Sequence, residues 1–253
     1  MLFFINFYII IEIIMYFKNQ MIKKIKIFNQ KLNLNLSNKV FEPNLTTWSI
    51  VEACHKIKFN KKKKILDLGS GSGVIGIFLK KKFKKKIDLY LSDYSEHAIK
   101  LINSNLKNNK IAGITKKSDI LKEWKDEKFD LIINDISAIN SQIAKKYWYN
   151  KFIPHDCGKD GLKLSRNFLN TVEKNLNKNG SILMPVISIS NHKKLIKIIE
   201  KKFKAKLLLT KEWPAPKDLI KGRVANFLKK KYIFKKFNTY LCFTKIYKLQ
   251  KKN

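Results

Sequence analysis

Short apolar runs alternate along the chain with longer stretches whose apolar residues recur at helical spacing. The runs predict buried strands, and the stretches predict helices packed against them. A regular alternation of strand and helix is typical of a sheet covered by helices on both faces. The sequence therefore predicts an α/β fold, a doubly wound sheet of about seven strands. The predicted strands are 65–68, 87–91, 111–117, 129–134, 181–187, 205–210 and 240–247.

The stretch from Lys64 to Gly76 is the strongest local signal, because an apolar run passes into glycines at every second position and then into a helical pattern. Gly69, Gly71 and Gly73 can adopt backbone angles that other residues avoid, and they let the main chain approach a ligand closely. The start of the following helix offers free N–H groups to a polar ligand. The stretch predicts a nucleotide-type site, and an ordinary strand-to-helix turn is the alternative.

Two kinds of cofactor fit this loop. Residues 71–76 match G-x-G-x-x-G, and Asp93 follows at about the spacing of the ribose-binding carboxylate in dinucleotide folds. Asp67, however, stands before the first glycine and completes Asp-x-Gly-x-Gly-x-Gly. This pattern resembles the first motif of class I S-adenosylmethionine (SAM)-dependent methyltransferases, which have a Rossmann-like sheet. The resemblance implies SAM as the cofactor, bound by residues listed here in chain order: Asp67, Gly69, Gly71, Gly73, Asp93 with its neighbour Tyr94, Asp119 with its neighbour Ile120, and Asn134.

Further motifs narrow the resemblance to release-factor glutamine and ribosomal-RNA guanine methyltransferases. They are Phe-x-Pro-x-x-x-Thr from Phe41 and Asp-x-Ser-x-x-Ala-Ile from Asp93. In that group the carboxylate at Asp93 binds the cofactor ribose, and the one at Asp119 accepts a hydrogen bond from the adenine. A surface turn is the alternative for Asp119, and a helix cap is the alternative for Thr46 or Thr47.

The end of the fourth predicted strand departs from these relatives, which carry Asn-Pro-Pro-Tyr there to hold a planar nitrogen. This chain has Asn134-Asp135-Ile136-Ser137, so it keeps the Asn and lacks both prolines and the aromatic ring. The missing residues therefore argue against a planar amide or base as the methyl acceptor. Asn134 and Asp135 are the predicted catalytic residues, with Asp135 as a general base or, alternatively, a helix N-cap.

Aromatic residues between 147 and 154 predict a substrate lid, or else rings packed on the domain. The segment 212–216 is expected to be a loop near the strand ends. Alternating apolar residues between 21 and 38 predict a small hairpin ahead of the main domain.

Lysine and arginine number 54 against 19 acidic residues, a formal charge of +35. Such a charge suits RNA or an anionic membrane surface. Only Arg166 and Arg223 are arginines, so an AT-rich coding bias explains the lysines equally well. The three cysteines and four histidines are scattered, which predicts no metal site and a reducing, cytoplasmic location.

The sequence divides into an apolar leader (1–20), an N-terminal lead-in with a helix (21–60), and a methyltransferase domain (61–253). The leader is expected to be an over-long gene start or, if translated, a weak membrane anchor, because Glu12 interrupts it. The predicted function is methyl transfer from SAM to a macromolecule, either an RNA base or a side chain of a translation protein. A small-molecule acceptor is one alternative, and a catalytically inactive binding protein is another.

Overall fold

The computed structural model describes residues 22–141, 143–144, 157–215, 217–220, 232–236 and 238–252. The predicted leader at 1–20 and the predicted lid at 147–154 lie outside these residues. Across the described part of the chain, strands and helices alternate as the hydrophobic pattern predicts. The strands are β1 Ile22–Ile27, β2 Gln30–Asn35, β3 Lys63–Leu68, β4 Ile87–Asp93, β5 Ile114–Lys117, β6 Phe129–Asn134, β7 Leu176–Ile187, β8 Phe203–Pro214, β9 Phe234–Lys236 and β10 Thr239–Lys251.

Six α-helices are present in the described residues, together with three short 3-10 segments. The helices are α1 Leu45–His55, α2 Val74–Phe83, α3 Glu96–Asn108, α4 Lys163–Thr171, α5 His192–Lys202 and the single turn α6 Lys217–Ile220. The 3-10 segments are Lys84–Lys86, Lys122–Trp124 and Val172–Asn175.

One mixed sheet forms the centre of the fold, in the strand order β5-β4-β3-β6-β7-β10-β8, with β9 paired to β10. The strands from β5 to β7 in this order are parallel, whereas β10 runs antiparallel to β7, β8 and β9. The predicted α/β class and the methyltransferase-type doubly wound sheet are confirmed. The described sheet has eight strands rather than seven, because the three-residue β9 adds a short strand beside β10.

The strand order reverses between β3 and β6, and this reversal sets the position of the site. Helices that leave β3 and β6 on opposite sides open a crevice at the carboxyl ends of these strands, where ligands bind in open α/β sheets. One core packs α1, α2 and α3 on one face of the sheet, and a second packs α4 and α5 on the other face. Neighbouring residues of a strand face opposite cores, as with Ile65 and Leu66 of β3.

The hairpin predicted between 21 and 38 is present as β1 and β2, which form a separate two-stranded antiparallel sheet. Ile25, Ile27, Leu32 and Leu34 bury its inner face in the core that holds α1, α2 and α3. The alternation of apolar and polar residues therefore predicted both the pairing and the buried face.

Two local expectations differ from the structure, and one proline has an unusual position. Asn44, not Thr46 or Thr47, caps α1, because its side chain accepts hydrogen bonds from both threonine N–H groups. The segment 212–214 is not a loop but the end of β8, paired with β10. Pro185 lies inside β7 beyond the last residue paired with β6, so its missing N–H leaves no partner unsatisfied there. Among the described helices, none is long and apolar enough to cross a membrane.

Candidate functional site

A cavity of about 960 Å³ opens at the carboxyl ends of β3, β4 and β6. Its walls come from four parts of the chain: the glycine loop 69–72, the residues after β4 and β5, the residues after β6, and the cover segment, which we define as Ser37–Thr47. Pro185, Ile187, Ile189 and Trp213 line it farther along the sheet. The position agrees with the crevice that the reversed strand order creates.

The glycine loop is shaped by backbone angles that only glycine adopts easily. Gly69, Gly71 and Gly73 have φ values of 74°, 54° and 78°. A Cβ atom on Gly69 would lie 2.9 Å from the backbone nitrogen of Ile136, so the loop passes directly against the segment after β6. Gly71 faces the carbonyl of Phe41 in the cover segment. These glycines therefore let two walls of the cavity approach each other.

Asp93 holds the loop from the end of β4. One carboxylate oxygen accepts a hydrogen bond from the Gly71 N–H at 3.0 Å, and the other accepts one from the Ser95 N–H at 2.9 Å. Burial raises the pKa of Asp93, although these backbone hydrogen bonds oppose the change. The Tyr94 N–H also interacts with this carboxylate, which keeps lone-pair capacity for a ligand and lines the cavity.

Asp67 and Gly73 do not line the cavity. Asp67 is fully buried behind the loop, and its Oδ2 accepts a hydrogen bond from the Gly76 N–H at 2.9 Å. Burial raises the pKa of Asp67 to about 7, and Asp93 adds to the increase. Gly73 is the N-cap of α2. The structure therefore places both residues where they support the loop and the helix start from behind.

The residues after β4 and β5 form another wall of the cavity. Tyr94 is 59% exposed, and Asp119 pairs with Lys122 at 2.5 Å. Ile120 has a φ of 57°, a conformation that β-branched residues rarely adopt and that is found at functional sites. The structure thus brings four of the predicted cofactor residues to one cavity: Asp93, Tyr94, Asp119 and Ile120.

Asp135 and Asn134 separate at the end of β6. Asn134 is 2% exposed and does not line the cavity; its Oδ1 accepts a hydrogen bond from the Ile136 N–H at 3.1 Å. Asp135 lines the cavity, and the Thr47 hydroxyl donates to its Oδ2 at 2.9 Å. Asp135 is not a helix N-cap, since the residues that follow it, 136–140, are irregular.

The carboxyl group of Asp135 is unusual for an acidic side chain. Its pKa is raised to about 8. Burial is the main cause, the Thr47 hydrogen bond opposes the increase, and the nearby Asp67 and Asp93 add to it. At pH 7 the group is therefore mainly protonated and can donate as well as accept a hydrogen bond. As a base it acts only at higher pH or beside a positive charge.

The first turn of α1 links Asp135 to an aromatic ring on the same cavity. Thr47 holds Asp135, and its neighbour Thr46 lies 3.3 Å from the hydroxyl of the buried Thr244. Thr244 in turn accepts a hydrogen bond from the Trp213 indole N–H at 3.3 Å. The sequence did not predict a role at the site for Thr47 or Trp213. The Phe-x-Pro-x-x-x-Thr motif, which ends at Thr47, was the one signal that pointed to this segment.

The described residues contain no group of three or more His, Cys, Asp or Glu side chains arranged to hold a metal ion. Cys54, Cys157 and Cys242 are buried and form no disulfide. Burial raises the pKa of the Cys242 thiol to about 11 and that of Cys54 further still. These thiols are therefore unreactive parts of the core.

Comparison with known proteins gives matches to methyltransferases. The family profile described as the methyltransferase small domain matches residues 50–136, a range that contains every predicted site residue. A release factor glutamine methyltransferase of Borreliella burgdorferi is 33% identical over 160 residues, which cover 60% of this chain and 55% of that protein. A Methanocaldococcus jannaschii protein, provisionally assigned as a protein N5-glutamine methyltransferase, is 30% identical over 166 residues, covering 65% of this chain and 81% of that protein.

Solved structures show the same fold. The 16S rRNA N2 G1207 methyltransferase of T. thermophilus, in complex with AdoMet and guanosine, superimposes with a TM-score of 0.59. It is 13% identical and covers 92% of this chain and 51% of that chain. This chain spans about half the length of several curated relatives that it matches.

Proposed function

Because this chain belongs to the methyltransferase small-domain family of SAM-dependent enzymes, we propose that it transfers a methyl group from SAM to a macromolecular acceptor. The observation that carries the proposal is the single cavity that joins the glycine loop and Asp93 to Asp135. Cofactor-type groups and a carboxyl group suited to an acceptor line the same cavity, with the glycine loop next to Asp135.

The cofactor-type residues fit SAM. The carboxylate of Asp93 lines the cavity and keeps lone-pair capacity beyond its backbone hydrogen bonds, which suits a ribose hydroxyl group. Gly69 and Gly71 let the loop pass close to the segment after β6 and to the cover segment. Asp119, Ile120 and Tyr94 form the adjoining wall for the adenine. When bound, SAM supplies an electrophilic methyl group on a positively charged sulfur.

Asp67, Gly73 and Asn134 act in this proposal without touching the cofactor. Asp67 and Gly73 hold the start of α2 and the loop in place. Asn134 fixes the turn that presents Asp135, because its side chain closes onto the Ile136 N–H. We therefore assign the direct role in binding the acceptor to Asp135 and a supporting role to Asn134.

Asp135 orients the acceptor by hydrogen bonding and takes up its proton when ionised. The neighbouring carboxyl groups of Asp67, Asp93 and Asp135 raise one another's pKa, so a cationic ligand that offsets their repulsion is favoured here. A bound positive charge lowers the pKa of Asp135 in return. Positioning the acceptor lone pair in line with an activated methyl supplies much of the rate, so a strong base is not required.

A side chain of a translation protein is the favoured acceptor. The two relatives named for glutamine methylation match 60% and 65% of this chain. RNA is the second candidate, because the formal charge of +35 suits a polyanion. Buried cysteines without disulfides are consistent with action in the reducing cytoplasm.

The test uses the full chain, SAM carrying a labelled methyl group, and extract from a strain that lacks this protein. Labelled product is divided between protease and nuclease digestion, and an Asp93→Ala variant serves as the control. Protease-sensitive label supports the favoured acceptor, nuclease-sensitive label supports RNA, and label in the small-molecule fraction contradicts a macromolecular acceptor. SAM binding without any label would indicate an inactive binding protein.

A further inference from the structure

We propose that Asn105 is a positioning residue for the cofactor loop, and that it joins this loop to the N-terminal hairpin. The inference rests on the proposed SAM site and assigns a role to a residue outside the cavity wall. Asn105 lies on α3, is fully buried, and has a neighbour on the same helix face that provides a matched comparison.

Two carboxamides, one from α3 and one from its C-cap residue, take the place of a third strand beside β2. Asn105 accepts a hydrogen bond from the Asn35 N–H at 2.7 Å and donates to the Asn35 carbonyl at 3.1 Å. Asn109 does the same with Asn33, at 2.9 and 2.7 Å. Each side chain therefore satisfies the donor and the acceptor of one strand residue, as a neighbouring strand would.

The spacing of the two elements explains why this arrangement works. Residues four apart on a helix are separated by a rise of about 6 Å. Residues two apart on an antiparallel strand are separated by about 6.8 Å. Asn105 and Asn109 therefore align with Asn35 and Asn33, and they close the edge that β2 would otherwise expose.

Only Asn105 also reaches the cofactor loop. Its side-chain NH₂ donates to the carbonyl of Ser72 at 2.8 Å, and Ser72 lines the cavity. Asn109 instead donates its second hydrogen to the Asn105 carbonyl at 2.8 Å, within the helix. Asn105 is thus the one of the pair that links β2 directly to the glycine loop.

The cover segment makes this link relevant to the cofactor. It begins two residues after β2, and its Val40 packs against Ala98 and Leu101 of α3. Helix α3 therefore fixes the hairpin, the cover segment and the loop relative to one another. A two-stranded hairpin is marginally stable alone, so these contacts determine where the cover segment lies over the loop.

The test compares full-length Asn105→Ala with Asn109→Ala. Both lose the pair of hydrogen bonds to β2, but only Asn105→Ala loses the contact with Ser72. We expect similar decreases in melting temperature. SAM binding by calorimetry should weaken about tenfold in Asn105→Ala and less than about twofold in Asn109→Ala. Amide hydrogen exchange at 69–76 should accelerate only in the first variant.

Equal SAM affinities in the two variants, or unchanged exchange in the loop of Asn105→Ala, would overturn the proposal. If Asn105→Ala does not fold, Asn105→Ser provides the same comparison, because its hydroxyl is too short to bridge β2 and Ser72. Failure of the unmodified chain to bind SAM would instead contradict the proposed function. The two failures are therefore distinguished by the wild-type titration.

Discussion

Replacing Asp135 by Asn should stabilise the folded protein at neutral and alkaline pH. Burial raises the pKa of this carboxyl from 3.8 to about 8 in the folded state, whereas in the unfolded chain it ionises near its ordinary value. Between these two values the folded state binds a proton that the unfolded state has lost. The free energy of unfolding therefore falls as pH rises from about 4 to about 8, and then stops falling.

The magnitude follows from the difference between the two pKa values. Each tenfold change in the acid constant corresponds to about 1.4 kcal/mol, so a fully buried group would cost about 6 kcal/mol above pH 8. Asp135 lies on the wall of a cavity and is partly exposed, so solvent reduces this to about 2–3 kcal/mol. Asn removes the titration and keeps an oxygen that accepts the Thr47 hydroxyl.

The assay is urea unfolding of both proteins at pH 4.5, 6, 7 and 8 and constant ionic strength. The gain in the free energy of unfolding should be small at pH 4.5 and reach about 2–3 kcal/mol at pH 8. Asp88→Asn is the control, because Asp88 is exposed and pairs with Lys62 at 2.8 Å. A gain that does not change with pH, or a loss at pH 8, would refute the assignment of a buried protonated carboxyl.

Three further substitutions test the site. Asp93→Ala should weaken SAM binding by about 1–3 kcal/mol through lost hydrogen bonds, and unchanged affinity in calorimetry would remove the ribose assignment. Gly69→Ala should lower the free energy of unfolding by about 1–3 kcal/mol, because φ is 74° and the new Cβ would meet the Ile136 nitrogen; chemical denaturation measures this, and a neutral effect would contradict it. Thr47→Val removes a hydrogen bond that lowers the pKa of Asp135, so the pH profile of methyl transfer should move to higher pH, and an unmoved profile would exclude Asp135 from the reaction.

The hydrophobic pattern was enough to predict the fold, because strand and helix periodicities are local. It also predicted that Asp93, Asp119 and Asp135 lie at one edge of the sheet, because the carboxyl ends of parallel strands meet there. Within that edge, sequence could not tell which side chains face the cavity. Asn134 and Asp135 are neighbours, and only the turn after β6 decides that the second one lines the cavity.

The contacts that sequence could not reveal join distant parts of the chain. Thr47 and Asp135 are 88 positions apart, and Asn105 and Asn35 are 70 apart. Trp213 was expected in a loop, because the preceding strand was predicted to end at residue 210. Pairing with β10 extends that strand through Trp213, and tertiary pairing of this kind overrides local turn signals.

Asp135 is better explained by function than by folding. Its side chain makes one hydrogen bond, to Thr47, that an Asn would also make, and its burial near Asp67 and Asp93 costs stability above pH 4. Asp135 destabilises the folded state, makes no contact that compensates for this, and lines the ligand cavity. Residues with these properties are typical of functional sites. Asn134 has the opposite character, because it is buried, hydrogen bonded and supportive of its own turn. We therefore assign the contact with the methyl acceptor to Asp135, and the support of its turn to Asn134.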